Sequence, residues 1–102
     1  MYSIHWSKLA EITFSEEMDF IFEKWNQKEV DKFGLLVQNC LQSISENPKI
    51  GKWESENQVY YFVISKQTTI YYKISEIELI VYLILFWNNK KNPTLLKIHL
   101  KL

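Results

Sequence analysis

The stretch that decides the fold is residues 59–87, which read VYYFVISKQTTIYYKISEIELIVYLILFW. It is rich in Val, Ile, Tyr, Phe and Thr, the residue types that favour β-strands. Only short polar segments interrupt it, so consecutive strands are joined as hairpins and form an antiparallel meander. The last part, from Leu79 to Trp87, is apolar on both faces, which predicts a central strand with a neighbour on each side. We predict three strands, Val59–Ser65, Thr68–Ser75 and Ile77–Trp87.

The segment before this meander predicts one more strand and two helices. Tyr2 to Ser7 alternates between apolar and polar residues, which indicates a half-buried strand beside the third meander strand. Ser7 caps a first helix that runs to about Trp25. Asn26 caps a second helix, which ends at Asn47-Pro48. The predicted fold class is therefore α+β, in the order β-α-α-β-β-β, with a helical hairpin packed on a mostly antiparallel four-stranded sheet.

The other segments are predicted as loops, with one further strand at the end. Thr13–Ser15 is a weak point of the first helix, where a kink or break fits the residue types. Lys49–Asn57 and Asn88–Pro93 are polar and are predicted as loops. The tail then alternates, which predicts a short C-terminal strand with an apolar face of Leu96, Ile98, Leu100 and Leu102. Residues 1–102 are predicted to form one domain.

The composition excludes several classes of protein. Hydrophobic residues make up 47% of the 102 residues and aromatic residues 16%, which excludes intrinsic disorder. Two glycines cannot form a Walker A loop or a dinucleotide-binding loop. Cys40 is the only cysteine, so we expect no intrachain disulfide and no thiolate cluster, but a small buried hydrophobe. The longest uncharged apolar run, 79–87, is too short for a membrane helix, so we expect a cytoplasmic protein without membrane segment or cofactor.

The charge is balanced overall but unevenly distributed. Residues 1–47 contain eight acids and four lysines, a net −4, whereas residues 48–102 contain four acids and eight lysines, a net +4. Every basic residue is a lysine, and the chain contains no arginine. Because arginine is the residue best suited to bidentate phosphate recognition, this composition weakens any nucleic-acid interpretation.

Several short stretches, in this order along the chain, resemble one known family. They are Ile4-His5-Trp6-Ser7, Trp25 at the end of the first helix, Ile44-Ser45-Glu46-Asn47-Pro48, the meander segment 63–74 and the loop Asn88-Asn89-Lys90-Lys91-Asn92-Pro93. Together they resemble the small toxins of the RelE/ParE superfamily, which belong to bacterial type II toxin–antitoxin pairs. The resemblance extends through about Pro93 and implies a helical hairpin packed on a mostly antiparallel sheet.

The resemblance also implies a function and partners. Such toxins are cytoplasmic inhibitors of bacterial growth, associated with plasmid stabilization, and a cognate antitoxin encoded beside each one neutralises it. RelE-like members cut mRNA on the ribosome, whereas ParE-like members share the fold and act on DNA gyrase. The implied partners are therefore an antitoxin and either DNA gyrase or the ribosome with its mRNA. A homodimer or a toxin–antitoxin hetero-oligomer is compatible with this interpretation.

The residues that RelE-type members use for RNA cleavage are mostly absent. The resemblance implies lysines on the first meander strand, where this chain has Tyr60 and Phe62, and an arginine near Thr69. A second arginine is expected after the last strand, where Lys90-Lys91 keeps a basic character, and the expected C-terminal tyrosine is missing because none follows Tyr82. A ParE-like action on a protein target is therefore slightly favoured. The alternatives are an mRNA endonuclease with a non-standard catalytic set, or a decayed toxin that only binds antitoxin.

The candidate site residues follow from this comparison. A non-standard catalytic set would use Lys90, Lys91 and His99, since a histidine can act as acid or base. Contacts with an anionic target are predicted for Lys66, Lys73, Lys90 and Lys91, although solvated surface lysines give the same pattern. Antitoxin contacts are predicted for Leu96, Ile98 and Leu100, because an antitoxin segment is expected to add a helix or strand to an exposed groove or edge.

Two further interpretations of the same residues remain open. The aromatic residues of the meander are suited either to stacking nucleic-acid bases or to forming cross-strand pairs in a core. We favour the core, because the chain has no arginine and no net positive charge. His5 and His99 have no second His or Cys near them in sequence, so no metal site is predicted. The aromatic residues concerned are Tyr60, Tyr61, Phe62, Tyr71 and Tyr72.

Overall fold

The computed structural model describes residues 1–101 as one sheet with a helical hairpin on one side and a short helix on the other. The sheet has five strands in the order β1-β5-β4-β3-β2. β1 pairs with β5 in parallel, and every other neighbouring pair is antiparallel. A 3-10 turn, Pro48–Ile50, follows the hairpin. The elements are β1 (Ser3–Trp6), α1 (Lys8–Lys24), α2 (Gln27–Glu46), β2 (Lys52–Glu54), β3 (Val59–Val63), β4 (Thr68–Ser75), β5 (Ile80–Asn88) and α3 (Pro93–Leu100).

The predicted α+β hairpin-on-sheet fold is confirmed, together with both helix starts. The Ser7 side chain accepts a hydrogen bond from the Ala10 amide at 3.0 Å and donates one to the Ile84 carbonyl at 2.9 Å. Asn26 accepts from the Glu29 amide at 3.0 Å. Ser7 therefore satisfies an orphan amide of α1 and also fixes the start of α1 against β5.

The predicted weak point of α1 does not break the helix, which is continuous from Lys8 to Lys24. The Thr13 hydroxyl donates to the Leu9 carbonyl at 2.7 Å, within the helix. It also accepts a hydrogen bond from the Phe86 amide at 2.9 Å. β1 ends at Trp6, which lies opposite Leu83, so β1 offers no acceptor to the Phe86 amide. Thr13 supplies the acceptor that the sheet lacks there.

β5 lies between β1 and β4, as predicted from its apolar character. A bulge interrupts its pairing with β4: Tyr72 lies opposite Leu83 and Tyr71 opposite Leu85, so Ile84 is the extra residue. Side chains before the bulge that face the hairpin have odd numbers, and those after it have even numbers. We call the side of the sheet toward α1 and α2 the hairpin face and the other side the open face.

Each face of the sheet packs against its own hydrophobic cluster. On the hairpin face, Val81, Leu83 and Phe86 pack against buried residues of α1 and α2. On the open face, Leu85 and Trp87 pack with Val59 and with α3. Cys40 is a buried free thiol in the hairpin-face core, and burial raises its pKa, which agrees with the small buried hydrophobe expected from the sequence.

The turn after α2 is closed by one buried tyrosine. Tyr72 is fully buried, and its hydroxyl donates to the Pro48 carbonyl at 2.7 Å. The same hydroxyl accepts a hydrogen bond from the Gly51 amide at 3.2 Å. Burial raises the pKa of Tyr72 to about 12, so the hydroxyl remains a donor at neutral pH.

Two segments differ from the sequence prediction. Lys52–Glu54, predicted as part of a loop, is the short edge strand β2, and its three residues pair with β3. The tail predicted as a strand is the helix α3, because Asn92 caps the Thr94 amide at 2.9 Å and Pro93 occupies the first turn. Leu102, which the prediction placed on that strand, lies outside the described residues. Among residues 1–101, no helix has the length and apolar character needed to span a membrane.

Candidate functional site

The loop after β5 is fastened to the turn between β3 and β4 by one asparagine. The Asn89 side chain accepts from the Thr69 hydroxyl at 2.7 Å and donates to the Lys66 carbonyl at 3.1 Å. The Asn89 backbone amide donates to the Gln67 carbonyl at 2.7 Å. These bonds hold together two segments that are twenty or more residues apart, and they bring Lys66 and Lys90 to the same end of the sheet.

A buried carboxylate fixes the same loop from the hairpin side. Glu17 is only 4% exposed. It accepts from the Thr68 hydroxyl at 2.5 Å and from the Asn88 side-chain amide at 3.2 Å. The Asn88 side-chain oxygen in turn accepts from the Lys90 amide at 3.0 Å. Glu17 therefore positions the start of the Lys90 loop through Asn88.

The sequence analysis did not identify Glu17 as important, although the sequence does contain a signal. Glu17 lies on the core-facing stripe of α1, seven residues after Ala10 and four before Ile21, both of which are buried. An acidic residue at a core position of an amphipathic helix needs hydrogen-bond donors when it is buried. Its donors lie at distant positions, which periodicity along one helix cannot reveal.

A cleft opens between the end of α1, the first half of α2 and the β3–β4 turn, with a volume of about 460 Å³. Its floor is apolar and includes Ile21, Phe33 and Leu36. Glu29, the one carboxylate that residues 1–101 place on its lining, lies 3.4 Å from the Lys32 ammonium. We call it the lysine cleft, after the four lysines that line it: Lys24, Lys32, Lys66 and Lys90.

The predicted target-contact lysines are divided between different places. Lys66 and Lys90 share the lysine cleft. Lys91 lies elsewhere, with its ammonium 5.8 Å from the centre of the Trp87 ring. Lys73 is exposed on β4, opposite Tyr82 of β5. Two lysines that the prediction did not include, Lys24 and Lys32, complete the cleft, because the hairpin brings the end of α1 beside the start of α2.

The proposed non-standard catalytic set is only partly brought together. The rings of Trp87 and His99 are 6.3 Å apart between centroids, so Lys91 and His99 both lie beside Trp87. Lys90 lines the lysine cleft, and together with Lys91 it also lines a second cavity beside Glu16 and Glu17. Within residues 1–101, no three His, Cys, Asp or Glu side chains cluster closely enough to hold a metal ion.

The aromatic residues of the meander do not form a single platform. Tyr60, Phe62 and Tyr72 belong to the hairpin-face core, where the rings of Tyr60 and Tyr72 stack at 5.7 Å. Tyr61 and Tyr71 form a separate pair at 5.8 Å. Cross-strand pairing in and around the core, the interpretation that we favoured, therefore describes their arrangement.

The predicted antitoxin-contact residues lie on α3 and have different exposures. Leu96 and Leu100 pack against the open-face cluster. Ile98 is 54% exposed. An ion pair of 3.8 Å between Lys97 and Glu56 joins α3 to the β2–β3 connection. Since α3 is helical, residues two apart do not share one face, and only Ile98 of the three leaves most of its side chain free.

Asn89→Ala should loosen the edge of the lysine cleft. The substitution removes the side-chain bonds to Thr69 and Lys66, so we expect a loss of about 1–2 kcal/mol in unfolding free energy. Amide exchange at Ser65 and Gln67, whose backbone amides donate hydrogen bonds within the turn, should become faster, while exchange in α2 changes only in proportion to global stability. Urea denaturation and hydrogen exchange measure the two effects, and Asn57→Ala, which removes a side-chain bond to Glu54 elsewhere, is the control. Unchanged exchange at the turn would contradict the role given to Asn89.

Comparison with known proteins shows likeness at the level of structure. No protein-family model and no curated protein matches the sequence. The toxin–antitoxin complex RelBE of E. coli has a chain that superimposes with a TM-score of 0.61 at 14% identity, covering 89% of this chain and 100% of that one. The isolated E. coli RelE toxin gives a TM-score of 0.61 at 13% identity, covering 96% and 95% of the two chains. The chain therefore has the RelE toxin fold, as the resemblance implied.

Proposed function

Because this chain has the fold of the RelE toxin, we propose that this protein is the toxin of a bacterial toxin–antitoxin pair. The observation that carries the proposal is the extent of the likeness, which covers 96% of this chain and 95% of isolated RelE. One of the similar structures is a toxin–antitoxin complex, which supports a cognate antitoxin as partner. Growth inhibition in the bacterial cytoplasm, relieved by that antitoxin, is the proposed activity.

The favoured mechanism is action on a protein target such as DNA gyrase. RNA cleavage by a 2′-hydroxyl needs an acid–base pair and cations beside the phosphate. Tyr60 and Phe62, at the positions compared with the catalytic lysines, pack against the hairpin-face core. The Thr69 hydroxyl is bonded to Asn89. These positions supply no cation, whereas four lysines line the apolar lysine cleft, which is suited to binding a protein surface.

One observation supports the alternative, an mRNA endonuclease on the ribosome. Lys91 and His99 lie beside the same Trp87 ring, so a cation and an acid–base group share one part of the open face. In this mechanism His99 takes the proton of the attacking 2′-hydroxyl, water protonates the leaving 5′-oxygen, and Lys91 stabilises the charge on the phosphate. Lys90 would then act from the neighbouring loop position.

We place the antitoxin on α3 and the sheet edge beside it. Ile98 is an exposed apolar residue that an antitoxin helix or strand would cover, with Leu95 also exposed three residues before it, and Leu96 and Leu100 would extend the contact from the same helix. β2 is the outer strand of the sheet and presents an unpaired edge on the side away from β3.

The test is induction of this chain alone in bacterial cells, with colony counts, mRNA integrity and gyrase supercoiling measured in parallel. We expect growth arrest, intact mRNA and reduced supercoiling, and rescue when the neighbouring antitoxin is co-expressed. Rapid mRNA cleavage that is lost in the Lys90→Ala/Lys91→Ala/His99→Ala variant would establish the alternative. A normally growing culture containing folded protein would overturn the toxin proposal itself.

A further inference from the structure

The lysine cleft has an apolar floor that remains partly uncovered. Phe33 and Ile21 are almost buried at its base, while Leu36 and Trp25 at its margin are exposed, Trp25 by 51%. These side chains come from two neighbouring helices, so they form a groove rather than a flat patch. A groove of about 460 Å³ accommodates one or two large apolar side chains of a partner.

The charges around this floor are nearly all positive. Of the four lysines that line the cleft, only Lys32 forms an ion pair among the described residues, and its partner is Glu29. The Lys24 ammonium lies 4.8 Å from the centre of the Trp25 ring. Lys66 and Lys90 approach from the sheet side. Electrostatic complementarity therefore requires a partner with carboxylates around an apolar contact.

A buried donor without an acceptor points to the same kind of partner. The side-chain nitrogen of Gln67, which lines the cleft, is shielded from solvent and has no hydrogen-bond partner among residues 1–101. Such donors are uncommon in folded proteins because each loses its hydrogen bond to water. If the Gln67 side-chain amide turns toward the cleft, a carboxylate that enters between Lys66 and Lys90 would accept this hydrogen bond in a charge-assisted form.

We propose that the lysine cleft binds an acidic amphipathic helix of the toxin's protein target, with apolar side chains on the floor and a carboxylate bonded to Gln67. This inference rests on the proposed protein-target mechanism and names the chemistry of the target. A helix is the natural occupant because a groove between two helices receives an amphipathic helix through residues spaced three and four apart. Nucleic acid fits less well, because the chain has no arginine and Lys24 covers the Trp25 ring.

The binding test uses a synthetic peptide of about 18 residues, long enough to form a helix in water, with Leu and Phe along one face and Glu beside them. The control peptide has every Glu replaced by Gln. We expect the acidic peptide to bind the whole chain, with NMR shifts at Phe33, Leu36 and Gln67. The variant Lys24→Glu/Lys66→Glu/Lys90→Glu should bind at least about tenfold more weakly, which corresponds to ~1.4 kcal/mol.

Matched variants separate charge in the cleft from charge in general. Lys8→Glu/Lys28→Glu/Lys49→Glu reverses three exposed lysines that lie outside the cleft, α3 and β2, and should leave peptide affinity within about twofold. Lys24→Gln/Lys66→Gln/Lys90→Gln repeats the test without new repulsion, in case the reversed variant does not fold. Gln67→Met should weaken the acidic peptide severalfold and leave the Gln control peptide unaffected.

Several results would overturn the inference. These are no binding of the acidic peptide, NMR shifts confined to α3 or the open face, or equal effects of the two lysine triples. Binding of single-stranded DNA that depends on the cleft lysines, with no peptide binding, would assign the cleft to nucleic acid. Sedimentation showing a dimer that the cleft variant abolishes, again without peptide binding, would assign it to a second copy of the chain.

The growth assay distinguishes failure of this inference from failure of the proposed function. If the wild-type chain arrests growth and the cleft variant still arrests it fully, the cleft is not the target surface while the toxin function stands. If the wild-type chain causes no arrest, the proposed function itself fails. We expect arrest by the wild-type chain and by the Lys8/Lys28/Lys49 control, and normal growth with the cleft variant.

Discussion

Phe86→Ala is expected to remove about 3–5 kcal/mol of unfolding free energy. Phe86 is 2% exposed, and its ring lies 5.3 Å from the rings of both Trp6 and Phe14. Phe14 in turn stacks with Phe33 at 6.1 Å. These four rings join β1, α1, α2 and β5, so the cavity left by alanine lies where four elements meet and cannot be filled by the movement of one side chain.

Urea denaturation followed by circular dichroism measures this loss. A domain of this size has about 5–15 kcal/mol of stability, so the variant should unfold at a much lower urea concentration. Phe22→Ala is the matched control, because Phe22 is 55% exposed on α1 and its removal should change stability by no more than about 0.5–1 kcal/mol. A loss below about 1 kcal/mol for Phe86→Ala would show that the four rings do not act as a packed unit.

Gly51→Ala is expected to cost about 2 kcal/mol, for a reason of space and not of backbone conformation. The φ angle of Gly51 is −74°, which any residue can adopt. A β-carbon added there would overlap the Tyr72 hydroxyl and lie 2.7 Å from the Tyr61 carbonyl oxygen. The Tyr72 hydroxyl holds the turn through Pro48 and Gly51, so it cannot move away without losing both hydrogen bonds.

The other glycine of the chain provides a control, because its substitution is expected to change stability in the opposite direction. Gly34 lies inside α2, and a β-carbon there would meet Met18 at 3.6 Å, an ordinary van der Waals distance. Gly34→Ala should therefore stabilise the protein by about 0.5–1 kcal/mol, the usual difference between alanine and glycine in a helix. In a Tyr72→Phe background, Gly51→Ala should cost less than in the wild type, since the overlapping hydroxyl is gone. Equal costs in both backgrounds would place the clash at the Tyr61 carbonyl alone.

The sequence was sufficient to predict most elements, because their signals are local. Ser7 and Asn26 mark helix starts through side-chain hydrogen bonds within three residues. The tail was predicted wrongly because its apolar residues fit two periods. Leu96, Ile98 and Leu100 follow each other at intervals of two, as on one face of a strand, but Leu96 and Leu100 are also four apart, as on one face of a helix. The cap at Asn92 and the proline after it decide for the helix. β2 was missed because Lys52–Glu54 is short and mostly polar, as edge strands often are.

The candidate site was less predictable than the fold, since it depends on contacts between distant segments. Lys66 and Lys90 could be selected as basic residues, but nothing in their local sequence shows that Asn89 joins their two loops. Lys24 and Lys32 have the appearance of ordinary surface residues of amphipathic helices. Only the packing of the hairpin against the β3–β4 turn places them in the same cleft.

The extra residue in β5 has a consequence for how this chain can change in length. Because Ile84 shifts the alternation by one, Asn88 ends the strand on the side of Glu17, and the Lys90 loop leaves toward the hairpin. If Ile84 were deleted, Leu85 would follow Leu83 in regular alternation, so Phe86 and Asn88 would keep the hairpin face and Leu85 and Trp87 the open face. The bulge is therefore a place where β5 can lose one residue without redirecting the Lys90 loop, whereas a residue lost from the regularly paired part of the strand, with the bulge kept, would turn Asn88 away from Glu17.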